Sequence, residues 1–370
     1  MHEAIEYLRE ARVMDTRQES KVKHKINEII GIAFFATLGN ANDFQEIEAF
    51  GKEHEEALRE YFELEHGIPS HDTTERAFAM FNSKFLEQFQ GRFNEMLNDG
   101  EGEKIKKIIG IDGKTQRGND TDEQKANHIV SAVDNDGFCI GQVRTADKTN
   151  EIKAIPDLIE KLNVEGHIIT TDAMGTQTAI VKKIVKKKAD YVLALKGNQG
   201  TLFEDVKLYF SDSELLRLSA YHRTVEKARG GLEEREYWQS DDIEWLPQKG
   251  EWAGLKSIAM TRNTITKNGQ KTIETRYFIS SLPVDVKEVA RAIRGHWMVE
   301  SYHWHLDVTF REDANRTIDK QAAYNLNVLK KLAINTLKLL DIGKKYYSMK
   351  LKRYMISLNP VKYFAKILDS

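Results

Sequence analysis

The sequence predicts an α/β protein in three parts, and three observations carry this prediction. Residues 1–98 show the apolar spacing of amphipathic helices. From about residue 105 the apolar runs shorten to strand length, and after Pro283 the helical spacing returns. A chain of 370 residues is long enough for two or three structural units. We therefore expect a small helical domain at 1–100, a central α/β domain at 101–340 and a basic helical tail at 341–370.

The central part contains five predicted strands, and their order is informative. They lie at 108–112, 128–133, 138–143, 167–172 and 190–195, with helices at about 151–163 and 176–188. Three strands in a meander followed by alternating helix and strand is the order of the ribonuclease-H-like fold. A β-rich insertion is predicted at about 219–281, where further strand-like runs are separated by turns such as Lys267-Asn268-Gly269.

Composition and cysteine count narrow the class of protein. Apolar residues make up 41% of the chain and charged residues 30%, as in ordinary soluble globular proteins. No apolar run approaches the roughly 18 residues needed to span a bilayer, and the acidic N-terminal residues do not resemble a signal peptide. The single cysteine, Cys139, excludes an intrachain disulfide and a cysteine-rich zinc site. These features predict a cytoplasmic protein.

Charge is distributed unevenly along the chain. The net charge is −2, which argues against a protein that coats nucleic acid indiscriminately. Residues 1–100 carry 11 Lys/Arg and 20 Asp/Glu, whereas residues 321–370 carry 10 Lys/Arg and 2 Asp/Glu. The basic C-terminal segment is either a surface for nucleic acid or a solvated helix face.

Two aspartates are predicted to follow buried strands. Asp112 ends the run Ile108-Ile-Gly-Ile-Asp112, after which the chain is expected to turn at Gly113, and Asp172 ends the run from His167. Ligands of open α/β sheets bind at the carboxyl ends of the strands, and carboxylate oxygens suit hard cations such as Mg²⁺. The pair therefore indicates a divalent-metal site, although one Asp-Gly pair alone could simply start a turn. A phosphate-binding P-loop ending at Lys114 is excluded, because its first glycine would have to stand where Ile108 is.

A third acid is predicted on a helix after the insertion. Val286, Val289, Ile293, Trp297, Glu300 and Trp304 recur at helical spacing, so Glu300 would be an acid on an otherwise apolar stripe. A charge in such a place is costly unless it is paired or bound to metal. The alternatives are an ion pair of Glu300 with a neighbouring Arg or His, and a metal-binding role for a later acid instead (Asp307, Glu312 or Asp313).

Several short motifs together resemble one protein family. They are His66-Gly-Ile-Pro-Ser-His-Asp-Thr73, Ile111-Asp-Gly-Lys-Thr115, Thr171-Asp-Ala173, Leu195-Lys-Gly-Asn-Gln199, Arg294-Gly-His-Trp297 through Glu300, His303-Trp304, Leu306-Asp-Val-Thr-Phe310 and Glu312-Asp313. In these motifs the sequence resembles bacterial DDE transposases of the insertion-sequence-four-like superfamily. The similarity is to the insertion sequence As-one group, which includes the H-repeat-associated proteins, and it extends from about residue 12 to 335.

The resemblance implies a fold, a site and a reaction. The fold is a ribonuclease-H-like core with a β-strand insertion, preceded by a helical domain and followed by C-terminal helices. Asp112, Asp172 and Glu300 correspond to the acidic triad and would hold two Mg²⁺ or Mn²⁺ ions, with Asp112 shared between them. The implied reaction is cleavage of double-stranded DNA at the element ends followed by strand transfer into target DNA. The implied state is a homodimer on DNA, associated with the bacterial nucleoid. The alternative is a domesticated or immobile relative that binds or nicks DNA without transposing.

One departure from the wider superfamily concerns DNA contacts. That superfamily has an arginine four residues before the glutamate and a lysine seven after it, whereas this chain has His296 and Asp307. The roles of those two residues therefore do not carry over. The candidate DNA contacts in this chain are Lys114, Arg117, Lys196, Asn198, His296, Arg311 and Arg316. Lys196 could equally be a surface lysine at a strand end, and Asn198 could cap the next helix.

Overall fold

The chain forms one large mixed sheet with helices packed on both of its faces. The computed structural model describes Arg17 and residues 22–98, 106–122, 124–145, 151–228, 231–343 and 347–369. The strands are β1 (Ile108–Thr115), β2 (His128–Asp134), β3 (Cys139–Thr145), β4 (Ile168–Thr171), β5 (Asp190–Leu195), β6 (Ala220–Ala228), β7 (Gly231–Ser240), β8 (Ser257–Lys267) and β9 (Gln270–Ser280). The predicted α/β class is confirmed.

The helices surround this sheet and form a block on one side of it. They are α1 (Ile26–Leu38), α2 (Phe44–Glu53), α3 (Glu55–Arg59), α4 (His71–Met80), α5 (Lys84–Asn98), α6 (Glu151–Lys161), α7 (Thr178–Lys186), α8 (Thr201–Tyr209), α9 (Ser213–Leu218), α10 (Val286–Trp304), α11 (Lys320–Leu339), α12 (Met349–Leu358) and α13 (Pro360–Asp369). Within the described residues, none of these helices combines the length and apolarity needed to cross a bilayer.

The spatial order of the strands is β3-β2-β1-β4-β5-β9-β8-β7-β6. β1, β4 and β5 are parallel neighbours, and β2 and β3 extend the sheet antiparallel from β1. β4 is buried along its whole length, as expected for a central parallel strand that is covered on both faces. Alternate residues of β1 face different layers, with Ile109 packed among residues of α6 and α7 and Ile108 among residues of α10.

The β-rich insertion continues the same sheet. β9 pairs antiparallel with β5 from Val192–Ser280 to Leu195–Tyr277, and β8, β7 and β6 follow outward as an antiparallel ribbon. The sequence predicts the outline of this insertion but not β6. Tyr221 and Val225 of β6 are about half exposed, so this edge strand lacks the buried alternation on which strand prediction depends.

Helix α10 approaches β1 more closely than most helices approach a sheet. A Cβ atom at Gly110 would lie 3.2 Å from Val299, and one at Gly295 would lie 2.9 Å from Ile108. The two glycines therefore remove the side chains that would separate the helix from the strand. As a result, the polar residues of α10 lie near the ends of β1 and β4.

The terminal helices form a single apolar core around α11. α1 is buried on every side and not only along one stripe. The apolar spacing of the sequence marks one face of this helix, and the C-terminal helices cover the other face. Phe364 of α13 packs against Phe35 of α1 with the rings tilted at 42° and their centroids 4.1 Å apart, and Ile356 and Ile367 belong to the same core. Residues 347–369 thus pack against the N-terminal helices, whereas the sequence suggests a separate basic tail.

Two lysines of α11 lie in this interior. Lys330 and Lys331 are each about 1% exposed, and the Lys331 ammonium donates to Ser131 Oγ at 2.6 Å. Burial lowers the pKa of Lys330 to about 8, and the Glu312 carboxylate opposes this shift only in part. An ammonium that is taken out of water with incomplete pairing destabilises the folded chain.

We expect the free energy of unfolding to rise between pH 8 and pH 10. The folded chain loses the Lys330 proton near pH 8, whereas the unfolded chain keeps it until about pH 10.5, so the unfolded state binds more protons across this window. The rise should be on the order of 1–2 kcal/mol in urea unfolding. Lys330→Met should reduce the slope, with the remainder coming from buried Lys331 and Arg353, whose pKa values burial also lowers, and Lys362→Met, at an exposed position, should leave it unchanged. An unchanged slope in Lys330→Met would contradict this account.

Candidate active site

Asp112 lies within β1 rather than at its end. β1 continues to Thr115 and pairs with β2 as far as Thr115–His128, so the turn predicted at Gly113 is wrong. Gly113 is needed for a different reason, since a Cβ atom there would lie 2.4 Å from His128 Nε2. On the other side of β1, the parallel ladder with β4 ends at Ile111–Thr171. Asp112 and Asp172 are therefore the first residues beyond that ladder on neighbouring strands.

The Asp112 carboxyl is held in its ionised form. Burial by itself favours the neutral acid, but the His303 hydrogen bond and the nearby His296 outweigh it and hold the pKa of Asp112 below its usual value. The His303 Nδ1 atom lies 3.4 Å from Asp112 Oδ2. An ionised carboxylate is the form that binds cations.

Asp172 is held by the loop that follows β4. Its Oδ1 atom accepts hydrogen bonds from the backbone N–H groups of Met174 at 2.9 Å and Gly175 at 3.1 Å. The next carbonyl, that of Ala173, accepts from Asn198 Nδ2 at 2.8 Å and from Gln199 Nε2 at 2.7 Å. Asn198, a candidate DNA contact in the sequence, therefore braces the Asp172 loop in this structure.

Glu300 reaches the same region from α10, although not from a buried stripe. The face of α10 that packs into the protein consists of Val289, Ala290, Ala292, Val299 and Tyr302. Glu300 lies on a solvent-accessible side of the helix, together with Trp297, which is 43% exposed. Half of the predicted stripe, namely Ile293, Trp297 and Glu300, thus lines a cleft. Within this cleft, burial and the Asp112 carboxylate raise the pKa of Glu300 above its ordinary value.

The three acids line one cleft of about 410 Å³. Its floor is formed by the ends of β1, β4 and β5, and its walls by α10 and by residues 274–278 in the middle of β9. His296 and Lys196 also line it, and Arg276 of β9 holds its guanidinium 5.7 Å from the centre of the Trp297 ring. Arg276 was not selected from the sequence, because nothing in the local pattern shows that β9 pairs with β5 beside the triad.

The donor chemistry of the cleft fits a hard divalent cation. Three carboxylates on three different elements supply only oxygen ligands, which Mg²⁺ and Mn²⁺ favour. Over the described ranges, no group of three or more His, Cys, Asp and Glu side chains is close enough to hold a single ion. Two ions that share Asp112 would each need only two protein carboxylates.

The other candidate DNA contacts occupy different environments. Lys114 is largely buried, with its ammonium 2.6 Å from Asp307 and 3.0 Å from Asp313. Its charge is already balanced by these carboxylates, which disfavours a phosphate contact. Arg117 is 83% exposed and also borders Asp313, and Arg311 and Arg316 are exposed on the segment that flanks this aspartate.

The acids that compete with Glu300 in the sequence have structural partners. Asp307 and Asp313 pair with Lys114. Glu312 is buried and accepts from Asn327 Nδ2 at 2.7 Å and from Gln116 Nε2 at 3.2 Å. None of the three lines the cleft. The geometry therefore favours Glu300 as the third acid of the site.

Two family models and several known proteins match this chain. The family model described as Transposase DDE domain matches residues 103–336, and a model described as DDE_Tnp_1-associated matches residues 7–94. The "Putative transposase YncI" of Escherichia coli O157:H7 is 38% identical over 373 residues, which cover 97% of this chain and 93% of the relative. The "H repeat-associated putative transposase YhhI" of Escherichia coli K12 is 34% identical over 366 residues, covering 96% and 95%.

A shorter relative carries a different description. The "Inactive transposase YbfQ" of Escherichia coli K12 is 40% identical over 65 residues, which cover 18% of this chain and 77% of that protein. The two longer matches extend over nearly the whole chain. The resemblance that the sequence motifs indicate is confirmed.

Proposed function

Since the chain belongs to the DDE transposase family, we propose that it cleaves DNA at the ends of a mobile element and joins them to target DNA. The observation that carries the proposal is the convergence of Asp112, Asp172 and Glu300 on one cleft. These residues are far apart in the sequence and lie on β1, after β4 and on α10. The alternative roles of a turn-starting aspartate and a simply paired glutamate do not account for their meeting.

We further propose that β1–β5 form a ribonuclease-H-like core. The spatial order β3-β2-β1-β4-β5, with β2 antiparallel to its neighbours, supports this assignment. β6–β9 are then an insertion between β5 and the helix that carries the third acid. In this arrangement the insertion contributes Arg276 of β9 to the lining of the cleft, on the strand that pairs with β5.

The proposed chemistry consists of two in-line displacements at phosphorus. Water first attacks a phosphodiester and releases a 3′-hydroxyl, and this hydroxyl then attacks a phosphorus of the target strand and displaces another 3′-oxygen. Two divalent ions, when bound, would stabilise charge on the attacking and leaving oxygens. Asp112 with Asp172 would hold one ion, and Asp112 with Glu300 the other. Lys196, which lines the cleft, would contact a phosphate, and Arg276 also lines it, paired with Glu274 at 2.8 Å.

The surrounding surface suits DNA. Arg117, Arg311 and Arg316 are exposed and lie along the turns next to Asp313, and such arginines position a duplex by phosphate contacts without reading its sequence. A transposase binds DNA as its substrate. We propose a homodimer on DNA, since two element ends must be joined, and a location in the bacterial cytoplasm with the nucleoid.

A second candidate is an immobile relative that binds or nicks DNA without transposing. A donor plasmid with two element ends, incubated with the full chain and Mg²⁺, separates the two functions. Transposition predicts strand breaks at both ends and joined products, all of which EDTA abolishes. Binding without strand cleavage, or nicks without joined products, would favour the second candidate.

A further inference from the structure

Two histidines flank Glu300 on α10, one on the turn before it and one on the turn after it. His296, Glu300 and His303 are spaced by four and three residues, so they follow one side of the helix. Both histidines are largely buried at the point where α10 crosses the strand ends. The fully buried residues of the helix are others, among them Val289, Val299 and Tyr302.

His303 contacts the acid that the two proposed ions would share. Its Nδ1 atom is 3.4 Å from Asp112 Oδ2, and an Nδ1–H group at this distance would donate to the carboxylate, which only accepts. The contact would orient the Asp112 carboxylate from one side. The His303 Nε2 atom is buried and has no hydrogen-bond partner in the described structure. Burying an unpaired nitrogen costs stability, which a contribution to the site would explain.

His296 makes the equivalent contact with the neighbouring strand. Its Nδ1 atom is 3.0 Å from Thr170 Oγ1, and Thr170 lies in β4, two residues before Asp172. His296 also lines the cleft between the aspartates and Glu300. The two histidines therefore connect the glutamate helix to each of the two strands that carry an aspartate.

We propose that His296 and His303 are positioning residues that hold Glu300 and Asp112 in the geometry required to bind divalent cations. This inference rests on the proposed function, because it concerns the same three carboxylates. The physical reason is that a carboxylate which is already oriented loses less conformational freedom on binding an ion. Hydrogen-bond partners of metal ligands typically change metal affinity by roughly 10-fold to 100-fold.

Isosteric variants separate the Nδ1 contact from a general effect of substitution. The amide nitrogen of Asn can replace Nδ1 of a histidine, whereas that of Gln replaces Nε2. Mn²⁺ binding to the full chain without DNA is measured from the electron paramagnetic resonance signal of the free ion, with thermal unfolding as the check on folding. We expect His303→Gln to weaken Mn²⁺ binding by roughly 10-fold or more and His303→Asn to stay within about 3-fold of the wild type.

The Thr170 contact allows an independent test of His296. Thr170→Val keeps the shape of the side chain and removes its hydroxyl. His296→Gln and Thr170→Val should each weaken Mn²⁺ binding, and the double variant should be no weaker than either single variant, because both remove one contact. His305→Gln is the control, since His305 contacts Thr309 at 3.3 Å away from the cleft and should leave binding unchanged.

Each outcome discriminates between explanations. Equal Mn²⁺ affinity of wild type, His303→Gln and His296→Gln would overturn the positioning role while the proposed function stands. An equal loss in His303→Asn and His303→Gln would also overturn it, because the Nδ1 contact would then not be what matters. Nitrogen hyperfine coupling to bound Mn²⁺ that disappears in either variant would make the histidine a ligand instead. A wild-type chain that binds no Mn²⁺ would overturn both this inference and the metal-dependent function.

Discussion

Replacement of Asp112 by Asn is expected to lower the rate of Mg²⁺-dependent cleavage of element ends by about 10³-fold or more, with the fold retained. The amide keeps the size of the side chain but removes the charge that both proposed ions share. Metal stabilisation of the transition state is worth several kcal/mol, and each 1.36 kcal/mol changes the rate tenfold. Asp172→Asn and Glu300→Gln should show losses of the same order, measured as initial rates of strand cleavage.

Glu274 provides a matched control for this prediction. It lies in the wall of the same cleft and pairs with Arg276 at 2.8 Å, but it is not one of the three acids. Glu274→Gln makes the same chemical change without removing a proposed ligand, so its cleavage rate should stay within about tenfold of the wild type. Near-normal activity of any triad variant would remove that residue from the catalytic set.

Replacement of Arg353 by Leu is expected to lower the free energy of unfolding by about 3–5 kcal/mol. The Arg353 side chain is completely buried and lies over the Phe310 ring, 4.0 Å from its centre. It donates to the backbone carbonyls of Thr37 at 3.0 Å and Ala41 at 2.9 Å, and also to that of Thr309. Without the guanidinium, these buried carbonyl oxygens lose their donor.

The measurement is urea unfolding of the full chain. Lys350→Leu serves as the control, because Lys350 is an exposed cation of the same helix and surface changes of this kind usually shift stability by less than about 0.5 kcal/mol. A loss below about 1 kcal/mol in Arg353→Leu would show that water replaces the guanidinium at these carbonyls.

The strands of the central sheet were predictable because their signal is local. The predicted strand at 190–195 coincides with β5, and the other four predicted strands of the core differ from the observed ones by at most three residues at either end. Buried parallel strands need continuous apolar runs, and this requirement is visible in any short window. The same runs led to Asp112 and Asp172, since a charged residue directly after such a run is conspicuous.

Features that depend on distant partners were not predictable. The partners of Lys114 are nearly 200 residues away in the sequence, so its motif suggested a phosphate contact rather than an ion pair. In the sequence, Arg353 is simply one of several cations in a basic segment. Only the structure shows that buried backbone carbonyls surround its guanidinium. Likewise, the helical spacing of Glu300 and its apolar neighbours suggested a buried stripe. Spacing alone does not distinguish a residue in the core from one in the wall of a cleft.

The continuous hydrogen-bonded ladder from β5 to β9 limits how DNA would enter the cleft under the proposed function. The wall that carries Arg276 and the floor that ends at Leu195 belong to one sheet. Swinging this wall outward as a hinged lid would break the backbone hydrogen bonds between Val192–Leu195 and Tyr277–Ser280. This side of the cleft is thus fixed when the chain folds, and under the proposed function a DNA strand would enter from the open side.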